Sequence, residues 1–154
     1  MSRILSIVAL AAAGFALSGC AHEAAAAGYA WSYQQSAGEG VKLAYGAPAS
    51  DDVLLMMTCA PHSGRVLLSA VTDGTQEEIV LASGGGHDRF TGAAMPSELG
   101  GALVEAEVQA GSATLDGFAR TGELSMTAGE ETVSLAASGA DRADVKEFFE
   151  TCAV

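Results

Sequence analysis

The chain has 154 residues, 49% of them apolar, with seven Lys or Arg against nineteen Asp or Glu and a formal net charge of −12. That length is one domain's worth of chain. The charge argues against nucleic acid, whose phosphates are held by Lys and Arg, and against a polybasic grip on anionic lipid.

The first predicted element is apolar. Ile4 to Leu17 carries no charge and follows a single early cation, Arg3. A bilayer span needs about 20 apolar residues. This run is shorter and has the length of a signal-peptide core, with small residues after it. It closes on Leu17-Ser18-Gly19-Cys20. Residues 1–20 resemble the signal peptide of a bacterial lipoprotein. The resemblance implies cleavage after Gly19, a diacylglycerol on the Cys20 sulfur and acylation of the new amino terminus. Two or three acyl chains anchor a protein stably where one does not. It therefore implies a domain held in the bacterial envelope by lipid alone. Ala21 is not the Asp that retains enteric lipoproteins at the inner membrane, which implies the outer membrane, facing the periplasm. Loss of residues 1–19 removes only Arg3, leaving six cations against nineteen carboxylates and a net charge of −13. Such a charge serves solubility, or presents an acidic surface to a basic partner.

Residues 20–28 read as the lipidated cysteine and a short tether, and 29–154 as one globular domain. Tyr29, Trp31 and Tyr33 alternate with small or polar residues and predict a strand. Val41, Leu43 and Tyr45 predict a second. Val53 to Cys59 is apolar at nearly every position, which predicts a strand buried on both faces. Ala60 to Gly64 is turn chemistry containing His62, and Arg65 to Val71 is the returning strand. Asp73-Gly74 is a hairpin signal before a strand over Thr75 to Ala82. Ser83 to Asp88, with three glycines and His87, predicts a flexible loop. No Lys and no helix pattern follow, so a phosphate cradle is not indicated. Arg89 to Ala94 is a weak strand and Met95 to Gly101 a loop. Ala102 to Gln109 alternates cleanly, with Glu105 and Glu107 on its wet face. Paired carboxylates can serve acid–base chemistry, but only where burial or like-charge contact moves a pKa. Ser112 to Arg120 has helical spacing, Gly122 to Thr127 and Thr132 to Ala136 predict strands, and Ala140 to Cys152 a helix. In that helix Val145, Phe148, Phe149 and Cys152 fall on one face.

These elements predict a mainly β domain: an antiparallel sandwich or small barrel of about eight strands with a C-terminal helix. With Cys20 taken by lipid, Cys59 and Cys152 remain as an even pair in an oxidising compartment, and a disulfide is the expectation. The other use of these residues is a metal site from Cys59-Ala-Pro-His62 with Cys152, but a single C-x-x-H is a weak ligand set. No bound metal or cofactor and no catalytic residue is expected, because the chain lacks a G-x-S-x-G elbow, an H-E-x-x-H and a P-loop. The expected role is a binding or structural module that meets an envelope protein. One alternative is a carrier of small apolar ligands. The strand count with a final helix resembles the lipocalin layout faintly, although Gly28-Tyr-Ala-Trp31 is one residue too long for that family's Gly-x-Trp. Another is an inhibitor of a cell-wall-cleaving enzyme, since an acidic domain suits a basic lysozyme.

Overall fold

The structure, a computed structural model, describes residues 28–72, 76–97, 101–128 and 131–154. Cys20, the tether up to residue 27 and the Asp73-Gly74 turn lie outside the described residues. The chain runs β1 (Ala30–Ser36), β2 (Gly40–Gly46), β3 (Val53–Cys59), β4 (Arg65–Thr72), β5 (Glu78–Ser83), β6 (Gly86–Thr91), β7 (Ala93–Pro96), β8 (Ala102–Gln109), α1 (Ala113–Thr121), β9 (Ser125–Ala128), β10 (Glu131–Ser134) and α2 (Asp141–Cys152). One sheet has six strands in the order β1-β2-β3-β4-β8-β7, the other four in the order β10-β9-β5-β6. Every pairing is antiparallel. The architecture is a sandwich-like pair of open sheets, with ten strands among the described residues where about eight were expected.

Alternation along each strand becomes rows across the large sheet. Trp31, Tyr45, Leu55, Ala70 and Val104 stand opposite one another in successive strands. Tyr33, Leu43, Met57, Leu68 and Ala106 form the next row. All but the half-buried Tyr33 are buried, and they share one core with Ile79, Leu81 and Met126 of the small sheet. The helices close that core. Phe118 of α1 lies 5.0 Å from the Trp31 ring and 6.0 Å from Phe149 of α2. The Trp31 indole donates a 2.7 Å hydrogen bond to the Leu135 carbonyl, so its polar edge is satisfied inside the core.

The anticipated face of α2 is buried: Val145, Phe148, Phe149 and Cys152. Cys59 and Cys152 form a disulfide with their Cα atoms 5.9 Å apart. The turn after β3 completes the docking. His62 N–H donates to the Thr151 carbonyl at 2.8 Å and Gly64 N–H to the Cys152 carbonyl at 2.9 Å. These carbonyls belong to the last turn of the helix and have no partner within it.

Three expectations need correction. β3 is buried on one face only: Leu55, Met57 and Cys59 are buried, while Leu54, Met56 and Thr58 are half-exposed. The glycine-rich stretch is a tight hairpin, not a flexible loop. Gly84 and Gly85 both have positive φ, at 58° and 83°, as two-residue hairpin turns require. His87 and Asp88 therefore sit on β6, where Asp88 accepts a 3.2 Å hydrogen bond from Thr114 N–H at the start of α1. Finally, Met95 and Pro96 belong to strand β7 at the sheet edge, where a residue without N–H is tolerated. Gly92 makes this strand possible. It carries the chain from the small sheet to the large one, and a Cβ there would overlap the Glu105 carbonyl oxygen.

Candidate interaction face

The positions that face away from the core in the large sheet also form rows. Ser32, Ala44, Met56, Ser69, Glu105 and Ala93 make one. Gln34, Lys42, Thr58, Leu67 and Glu107 make the second. Val71, Leu103 and Met95 make a third. Both helices and the small sheet pack on the opposite side, because Phe118, Phe149, Leu81 and Met126 all share the core with Leu55. Among the described residues, neither helix and no strand of the small sheet packs on the outward side chains. Met56, Leu67, Val71 and Leu103 are half-buried, and Met95 is 45% exposed. An antiparallel sheet with one wet face ordinarily fills that face with polar residues. Here aliphatic and thioether groups occupy its middle.

Polar groups fix the rest of the face. Ser69 is 5% exposed and donates to the Glu105 carboxylate at 3.3 Å. Arg65 pairs with Glu107 on the neighbouring strand, and Lys42 with Glu39 at 3.0 Å. Such exposed pairs stabilise by about 0–1 kcal/mol each, but they orient the charges. Elsewhere Arg89 meets Glu78, Arg120 meets Asp116 and Lys146 meets Glu150, while Arg142 donates to the Arg120 and Thr121 carbonyls. The domain's six cations are thus engaged within the chain, and the excess charge is carboxylate.

No protein-family model, curated protein or solved structure matches this chain.

The anticipated site residues divide by place. Cys20 lies outside the described residues. Cys59 and Cys152 are brought together as a disulfide. His62 stays exposed in its turn at φ 58°, with Nδ1 3.2 Å from the Ala153 carbonyl. Glu105 and Glu107 share a face, each tied to a different neighbour, Ser69 and Arg65. The open apolar face was missed. Its signal was present in the outward parity of Met56 in β3, Leu67 and Val71 in β4, and Leu103 in β8.

At the end of the sheet where β1 begins, the Tyr29 hydroxyl donates to Asp52. This bond and the nearby charge raise the Tyr29 pKa. Burial raises that of Tyr45, helped by the Asp141 charge. The sign follows from linkage. A tyrosine with a raised folded pKa stabilises fully below the unfolded value of about 10, and that contribution is lost as pH rises through the folded pKa. The urea midpoint is therefore expected to fall above about pH 10, and Tyr45→Phe to lessen the fall. An equal fall in wild type and variant would count against the assignment.

Proposed function

We propose that this chain is a lipid-anchored binding module of the bacterial cell envelope. Cys20 holds it on the membrane, on the periplasmic side of the outer membrane, and the open face of the large sheet contacts an envelope protein. The observation that carries the binding role is that face, where Met56, Leu67, Val71 and Leu103 are half-buried beside the exposed Met95, on the side of the sheet opposite the shared core. Contiguous exposed apolar surface marks interaction sites. The disulfide is consistent with an oxidising compartment. None of the described helices is long and apolar enough to cross a membrane, and an acylated cysteine requires none. The tether from Cys20 to Gly28, fully extended, reaches roughly 30 Å, which keeps the domain near its anchor.

The space between the sheets, which a carrier would need for its ligand, holds Trp31, Met57, Leu68, Phe118 and Phe148. This supports an interaction module over a carrier. The excess of carboxylates supports a basic partner, and an inhibitor of a basic cell-wall-cleaving enzyme would be one form of such a module.

Two experiments test the reading. Metabolic labelling with a fatty-acid analogue is expected to tag the wild type and not Cys20→Ser; equal labelling removes the anchor. A photo-cross-linking residue at Met56 or Leu103 is expected to form protein adducts in the native envelope, and one at Thr132 on the small sheet is not. Adducts from Thr132 alone would move the contact off this face.

A further inference from the structure

The sandwich has four sheet edges, and three of them carry devices that discourage pairing. β7 has four residues and ends on Pro96. β10 also has four and opens on the exposed Glu131. β6 carries His87, Asp88 and Arg89, and its Asp88 turns inward to the start of α1. β1 has none of these within its own sequence, and α2 packs against it and β2 through the core. It runs for seven residues, Ala30-Trp-Ser-Tyr-Gln-Gln-Ser36, without charge, Pro or Gly. Among the described residues its strand partner is β2, on one side, and no described strand meets the backbone groups of the other side.

We infer that this edge pairs with the same edge of a second copy of the chain. The pattern of β1 is what commits the inference to a second copy. An antiparallel pairing centred on Tyr33 sets Tyr33 opposite its mate, Ser32 opposite Gln34, Trp31 opposite Gln35 and Ala30 opposite Ser36. Residues of even number meet even, and odd meet odd. The outer faces of the two large sheets then join, and so do the inner ones. Tyr33, half-buried on the inner side, gains an aromatic neighbour, and aromatic cross-strand pairs stabilise sheets. No charged side chain of β1 itself meets another across the seam. This matters for a chain of net charge −12, because like charges placed opposite one another would break the pairing. The contact is smaller than a standard protein interface, so the dimer is a weak, reversible one. The inference does not depend on the lipid anchor or on the open face.

The test uses the purified full chain in detergent. Sedimentation equilibrium between about 1 and 500 µM is expected to show reversible dimerisation. Ser32→Glu with Gln34→Glu, at two exposed positions, brings acids opposite acids and is expected to weaken the dimer about tenfold or more. Oxidative tyrosine coupling followed by peptide mapping is expected to yield a Tyr33–Tyr33 link between chains. Tyr33→Phe removes the link and keeps the dimer. Monomer throughout, a dimer indifferent to the two glutamates, or inter-chain links only at other tyrosines would each overturn the inference. If the double variant does not fold, the mapped cross-link in wild type decides alone.

Discussion

Replacing Cys59 and Cys152 together by Ser is expected to cost the domain about 2–5 kcal/mol. The two residues stand 93 positions apart, so the bond closes most of the domain into one loop. Cross-linking over that length removes much of the unfolded chain's freedom. The loss should not be uniform. α2 is otherwise held by Val145, Phe148 and Phe149 against the core and by the backbone donors of His62 and Gly64 at its end. β3 keeps its ladder to β2 and β4 without the bond. In the variant, hydrogen exchange is therefore expected to quicken first at residues 145–152 and only later in β3. Urea unfolding of wild type and variant, both carrying Cys20→Ser, measures the global part. A shift under about 1 kcal/mol, or equal loosening of β3 and α2, would mean that packing alone docks the helix.

Phe118→Ala is the core substitution with the largest expected effect, about 3–5 kcal/mol. The side chain is 0% exposed. Its ring touches Trp31 of β1 on one side and Phe149 of α2 on the other. Removing it leaves a cavity where a strand and both helices converge, and three separate elements cannot all move to fill it. Two aromatic pairs that remain, Trp31 with Tyr45 and Phe148 with Phe149, lie on either side of the gap. The denaturant midpoint should fall with little change in slope, since the extent of burial is nearly the same. The near-ultraviolet signal of Trp31 should weaken as well. A cost below about 1.5 kcal/mol would show that the site collapses, in contrast to the usual large-to-small result.

Both predictions use features that simple periodicity exposes. The alternation of Ala102 to Gln109 is β8, residue for residue, and the spacing of Val145, Phe148, Phe149 and Cys152 is the buried face of α2. Periodicity works there because one side is wet and the other dry. It misleads in β3, where Met56 lies on the outward side, in a row with Ala44 and Ser69. An apolar residue reads as buried whether a second layer covers it or not, and only the arrangement of both sheets reveals that none does. The short edge strand β7 was hidden for a different reason. Its pairing comes from β8, a partner beyond an intervening loop, and Pro96 reads locally as a breaker. His87 was misplaced because three glycines suggest slack, whereas two of them make a tight turn and the strand resumes at the third.

The Trp31 hydrogen bond to Leu135 has a temporal meaning. A chain emerging from its amino terminus makes β1 early, yet the carbonyl that receives the indole N–H is more than a hundred residues behind. Cys59 must wait equally for Cys152, and the His62 turn for the end of α2. Long-range contacts of this kind close late. A nascent chain that has made β1 to β4 therefore holds an open apolar sheet, with neither the helix that covers it nor the partner for its cysteine. Residues 141–152 complete the fold: the small sheet and α1 can cover part of the core before them, but Cys59 has its partner and the His62 turn its acceptors only once α2 is made.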